Sequence, residues 1–272
     1  DAGAGGTLSS AATLALGTVA GGSGTFNYDN TTATGAKSQT LASLAAPWGT
    51  NATNTVQVTR TAAQDVSLIF TVVVDNSVGG GNMINFVTSD VAGGGVNGTH
   101  YKIVLADQTV LKISKQNAYF NGGDFAVYDT SAGTGLSGFV RGINYGTDVG
   151  TATSAGGASF AATTAQEITG SITAQPTVAL TIGTLNASLK IVGASNLTMS
   201  ASNQTLSLSA ANNTGVSGFL KTGGGTSVIS GGLQINCGGG VQSHFRVNGA
   251  TDVLDIAMPI SWDITTRLMK SG

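Results

Sequence analysis

Thirteen carboxylates, two histidines and one cysteine are the side chains through which this chain of 272 residues could perform acid–base, metal or nucleophilic chemistry. Twelve of the carboxylates are aspartates, and Glu167 is the single glutamate. Glycoside hydrolysis needs two carboxyl groups facing one bond, about 5 to 9.5 Å apart. Polysaccharide lyases cluster acidic residues around calcium beside a basic proton acceptor. Here the aspartates (Asp65, Asp75, Asp90, Asp107, Asp124, Asp129, Asp148 and others) are scattered, with no Asp-Asp, Asn-Thr-Asp or Gly-His-Gly element. Asp252 and Asp255 are three apart, so on a strand they point to opposite faces. Asp124 and Asp129 flank a strand and could meet only through neighbouring turns of the chain. The set reads as solvated turn residues.

Metal and thiol chemistry have equally little to build on. A metal site needs three or four converging ligands, and His100 and His244 have no neighbouring His or Cys in sequence. Cys237, within Asn236-Cys237-Gly238, has no base beside it and reads as a small buried apolar residue in a corner. Asn121-Gly122-Gly123-Asp124 is one imperfect copy of a calcium-binding turn that works in arrays. The runs Gly223 to Gly225 and Gly238 to Gly240 open no helix. The first is not followed by Lys-Ser/Thr, so neither is a phosphate loop. The expectation is a protein that is not an enzyme, with no catalytic, cofactor-binding or metal site.

The composition narrows the class further. Charged residues make up 9 %, and 11 basic residues stand against 13 acidic ones for a net charge of −2. That balance cannot build the positive field that nucleic-acid binding requires. Gly, Ser, Thr and Asn fill about 45 % of positions, far above ordinary usage. One cysteine excludes an internal disulfide framework. No apolar run approaches the ~20 residues of a membrane-spanning helix, and a hydrophobic fraction of 41 % argues against disorder. No signal peptide precedes Asp1, which suggests a processed chain or a slice of a longer one.

Whatever these groups do, strands must position them. Glycine and β-branched residues penalise helix almost everywhere. The best helical stretch, Phe160 to Ile168, reads as a loop or the approach to a strand. Val56 to Arg60, Val66 to Val74, Tyr101 to Leu105 and Thr109 to Ser114 read as strands, the last two split by Ala106-Asp107-Gln108. In the second half strand cores recur at Val178–Ile182, Ser188–Val192, Leu197–Ser200, Leu206–Ser209, Phe219–Lys221, Ser227–Ser230, Leu233–Asn236, His244–Val247 and Val253–Ile256. Their spacing of about 8 to 10 residues, with turn residues between, indicates an all-β architecture. Small polar side chains stack well in ladders, whereas equal charges stacked about 4.8 Å apart would repel. The expected fold is therefore a right-handed parallel β-helix (β-solenoid). With three strands per coil it would have about 25 to 30 residues per coil and roughly four coils over 170–272. An antiparallel β-sandwich is the alternative.

Residues 218–232 read GFLKTGGGTSVISGG, followed by LQINCGGGVQSHFRVN and then TDVLDIAMPI. This resembles the autotransporter-associated β-strand repeat family. The match is carried by Leu220, Lys221, Thr222, Gly223, Gly225, Thr226, Ser230, Gly231, Pro259 and Ile260. The variant looks most like very long secreted repeat proteins of planctomycetes and verrucomicrobia. Gly24, Thr25, Phe26, Tyr28, Gln39, Thr40 and Leu41 match a later part of the same repeat, and 122–139 resembles its end. The resemblance implies that 1–148 is the tail of one module and 149–272 the head of the next. Leu268, Met269 and Lys270 repeat the pattern of Leu220 and Lys221, which suggests a stop mid-repeat.

The implied function is that of an extracellular structural protein at the bacterial cell surface, stacking or polymerising into a fibre, sheath or layer. Its partners would be other copies of itself or adjacent modules, with no nucleic acid and no membrane span. An adhesin that grips glycans on the same scaffold is the alternative, with Trp48, Tyr101, Tyr119, Tyr128, Tyr145 and Trp262 as stacking candidates. A carbohydrate-active enzyme ranks third and would need a convergent carboxylate pair. Sequons for N-glycosylation occur at Asn30, Asn51, Asn97, Asn186, Asn196, Asn203 and Asn212.

Overall fold

The computed structural model describes residues 8–16, 22–45, 53–74, 83–108, 118–133, 135–157, 165–174, 180–182, 188–208, 216–237, 242–261 and 267–271. The chain is a parallel β-solenoid divided into two units. Unit 1 holds 1–114, 118–122 and 126–142; unit 2 holds 115–117, 123–125 and 143–272. Among the described residues the only helical element is a short 3-10 turn, Gly135–Ser137. The expected strand at Thr109 to Ser114 lies outside the described residues.

Unit 1 winds two long strands per coil. One sheet stacks β1 (Thr13–Ala15), β3 (Lys37–Ala45), β5 (Val66–Val74) and β7 (Tyr101–Leu105). The other stacks β2 (Thr25–Asp29), β4 (Thr53–Arg60), β6 (Met83–Asp90) and β8 (Ala118–Phe120), with β9 (Asp124–Asp129) and β10 (Phe139–Gly142) beyond them. The register sets the coil length: Phe26 pairs with Val56, and Val56 with Phe86, so successive coils repeat at an equal interval. Alternation along each strand turns one set of side chains inward. Leu41, Phe70 and Leu105 therefore form one buried ladder, and Leu68 and Ile103 lie side by side in the next.

The parallel pattern stops at β9 and β10, which run antiparallel, with Val140 opposite Tyr128 and Arg141 opposite Val127. No feature of the sequence reading marks this hairpin. Its turn is held by the Tyr128 hydroxyl, which donates to the Gly135 carbonyl at 2.6 Å. Tyr128 is fully buried, and burial pushes its phenol pKa up to about 12.

Unit 2 winds three short strands per coil. The longest sheet orders β11 (Thr151–Ser154), β12 (Ala165–Ile168), β15 (Ser188–Val192), β18 (Val216–Thr222), β21 (Gln242–Val247) and β24 (Arg267–Ser271). A second stacks β13 (Ile172–Ala174), β16 (Leu197–Met199), β19 (Gly225–Ser230) and β22 (Asp252–Ile256). The third stacks β14 (Leu180–Ile182), β17 (Thr205–Leu208), β20 (Gln234–Asn236) and β23 (Ile260–Ser261). Every strand pairing among the described residues of these sheets is parallel, as in Gln242↔Arg267 and Leu206↔Ile235. Successive coils carry Ser188 onto Gly218, Val216 onto Gln242 and Gln242 onto Arg267. These intervals fall within the expected coil length, while the step from Gln166 to Leu189 is shorter. Like side chains stack: Phe219 lies on Phe245 with ring centroids 4.7 Å apart, and Leu197 pairs with Ile229, which pairs with Ile256. The stretch Phe160 to Ile168 ends in strand β12, not in helix.

Candidate functional site

Each solenoid corner leaves backbone groups outside the ladders, and buried polar groups must find partners. The few charged and amide side chains of this chain meet that need. In unit 1 the fully buried Asn30 uses its whole amide on the next coil. Its Nδ2 donates to the carbonyls of Ala62 and Gln64, and its Oδ1 accepts from the backbone N–H of Thr61 and Ala62. A buried amide used in this way is no glycan acceptor in the folded chain, so this sequon is structural. Arg60 at the end of β4 donates to Asp90 at the end of β6, 2.8 Å away and one coil on, while Asp90 accepts from the N–H of Gly93 and Gly95. In the hairpin Arg141 donates to Asp129. Burial works against the ionised Asp129 carboxyl, but Ser131 and the Arg141 guanidinium outweigh it and hold its pKa below the ordinary range.

In unit 2 the equivalent device uses lysine. Lys221, near the end of β18, is fully buried, and its Nζ reaches Asp252 Oδ1 at 3.0 Å and the carbonyls of Thr222 and Gly224. Asp252 also accepts from the N–H of Gly224 at 2.6 Å and of Gly249 at 2.7 Å. Burial works against the ionised form, but the lysine and these amides outweigh it and hold the Asp252 pKa below its ordinary value. The turn that brings them together, Gly223 to Gly225, has φ of 83°, 79° and 75°, a left-handed path that other residues resist. The Leu-Lys-Thr-Gly element singled out in the sequence is thus a corner clamp. Its partner Asp252 lies a whole coil further on and had no local signal.

A second lysine cluster in unit 2 is built differently. Lys190 on β15 points its Nζ to Asp124 Oδ1 at 2.6 Å and to Glu167 Oε1, on the adjacent strand β12, at 3.2 Å. The ammonium lies 5.5 Å from the centroid of the Tyr145 ring. Glu167 Oε2 accepts from the Thr153 hydroxyl at 3.4 Å. Desolvation by burial, with repulsion from Glu167, raises the Asp124 pKa against the pull of Lys190. Two carboxylates therefore converge on one amine in a half-buried setting.

The residues weighed in the sequence land as follows. Asp124 and Asp129 sit at opposite ends of β9 and bind different cations, so they do not form a pair with each other. The side chains of Asp90, Asp129 and Asp252 are 12 %, 12 % and 3 % exposed, which corrects the expectation of solvated turn residues. Asp255 is exposed, on the face opposite Asp252 as expected. His244 is buried in β21, and desolvation lowers its pKa to about 4. His100 accepts through Nδ1 from the Val96 N–H. Cys237 lies in the apolar core, where burial raises its thiol pKa. Asn121 and Asp124 are engaged within the protein, Asn121 Oδ1 by the Thr88 N–H. Tyr119 and Tyr128 are buried, and Tyr101 and Tyr145 are half-buried. Trp48, Trp262 and Gly238 to Gly240 lie outside the described residues. Among the described residues no three His, Cys, Asp or Glu side chains gather to hold a metal, and no helix is long and apolar enough to cross a membrane. Comparison with family models, with curated proteins and with solved structures returned no match to this chain.

Proposed function

We propose that this chain is an extracellular structural segment of the bacterial cell surface, related to the autotransporter-associated repeats, whose work is done by stacking into a fibre, sheath or layer. The observation that carries this reading is where the charged side chains go. In a chain with so few charges, Arg60, Lys190 and Lys221 join strands or corners of successive coils. Together with the parallel ladders within each unit, these clamps favour stiffness and resistance to proteolysis over a binding cleft. Partners would be further copies or adjacent modules.

The burial of Tyr119 and Tyr128 removes two of the aromatic platforms an adhesin would use for sugars. Electron microscopy of the native material tests the reading. Filaments or sheets built from this chain support it, and isolated soluble particles would overturn it.

A further inference from the structure

We infer that Lys190 and Asp124 become joined by an isopeptide bond, with Glu167 moving the protons. The reaction is a condensation: the Lys190 ammonium and Asp124 carboxylate together lose one water and leave a neutral amide. Glu167 passes one proton from the Lys190 ammonium to the Asp124 carboxylate, and the freed amine attacks Cγ of the resulting carboxylic acid, one bond beyond the Oδ1 it already touches at 2.6 Å. As the new N–C bond forms, Glu167 takes a second proton from the nitrogen and gives it to the departing hydroxyl, so the C–OH bond breaks to release water and Glu167 ends as the carboxylate it began as. Nothing is oxidised or reduced, and no co-reactant is needed.

Three features single out this pair. First, the acceptor must be a carboxylic acid, not a carboxylate, and burial favours the neutral form at Asp124. Asp124 also has Lys190 as its sole hydrogen-bond donor among the described residues. Second, a general acid–base group must lie within reach of the nitrogen, and Glu167 Oε1 is 3.2 Å away. Third, the groups must be held in place with water limited. The Lys190 side chain is 10 % exposed, is flanked by the Tyr145 ring, and lies on a strand paired on both sides. The other buried lysine provides the contrast. Asp252 is tied by two backbone N–H groups that hold it ionised, and among the described residues no second carboxylate pairs with Lys221. Among the described residues of unit 1 the paired cations are arginines, whose guanidinium does not deprotonate.

The bond would close a span of 66 residues. It does not rest on the stacking reading, since a cross-linked monomer and an unlinked filament would separate the two. The test is the intact mass of the folded, purified chain, measured after full denaturation, followed by proteolysis and peptide mapping. The expected result is a mass lower than that of the sequence by one water, with the Lys190 peptide joined to the Asp124 peptide. Lys190→Arg and Glu167→Gln should both restore the full mass. A wild-type chain of full mass with only linear peptides would overturn the proposal. So would a water loss that persists in Lys190→Arg, or a cross-link that forms undiminished in Glu167→Gln. Should either variant fail to fold, the wild-type peptide map still decides.

Discussion

Unit 1 divides each coil between two strands of up to nine residues, whereas unit 2 divides a similar coil among three strands of two to seven. The same all-β principle is thus cut into different numbers of corners. Long β-branched runs such as Val66–Val74 have no turn residue to interrupt them, so the chain stays extended. In unit 2 Gly193, Gly223 and Gly231, each at positive φ, break the chain early. Each corner exposes backbone groups that a ladder would have satisfied, and the remedies differ. Unit 1 uses an amide and arginines, while unit 2 uses lysines with carboxylates. The guanidinium of an arginine pair does not give up its proton, but a lysine beside a carboxylate has further chemistry open to it.

The largest test of this contrast is Lys221→Met, which leaves the Asp252 carboxylate buried without its cation. A loss of about 3–5 kcal/mol is expected, read as a lower denaturant midpoint. Stability against pH comes next. His244 has a folded pKa of about 4 against an ordinary 6.5, so folding favours its neutral form. Its contribution is complete above pH 6.5 and is lost as the pH falls towards 4, a loss on the order of 3 kcal/mol. Below that, Asp129 and Asp252, whose folded pKa values lie under the ordinary 3.8, give up their contributions in the same direction. Denaturation curves from pH 7 to 4 should therefore slope steeply in the wild type and flatten in His244→Gln.

In unit 1 Asn30→Ala strips partners from the N–H groups of Thr61 and Ala62 and should cost about 1–3 kcal/mol in chemical denaturation. Asp255→Asn, on the exposed face, should change stability by less than about 0.5 kcal/mol. An equal effect of Asp255→Asn and Lys221→Met would remove the distinction between clamp and surface charge on which the comparison rests.

Much of the fold was legible because its signals are local. The spacing of strand cores in 178–256 follows from where β-branched runs meet Gly, Asn and Ser. The observed strands Ser188–Val192, Gly225–Ser230 and Asp252–Ile256 fall where those runs predict. The lysine of the Leu-Lys-Thr-Gly element was visible, but Asp252 was not visible as its partner. The Lys190 cluster was missed altogether, because Asp124, Glu167 and Lys190 are spread over 66 residues and carry no common motif. The hairpin of β9 and β10 was also missed, since Phe125 to Tyr128 has the same character whether its neighbour runs parallel or antiparallel.

The sequence by itself determined that the chain would be β-structured and sparsely charged, and the spacing of its strand cores favoured coils over an antiparallel sandwich. These follow from backbone preference and from the repulsion that stacked charges would suffer, which depend on residue type and short-range spacing. Only the tertiary structure decided which cation meets which carboxylate, that unit 1 winds two sheets where unit 2 winds the expected three, and where the parallel stacking gives way to a hairpin. Those depend on register between coils, and a slip of one residue turns every side chain to the other face.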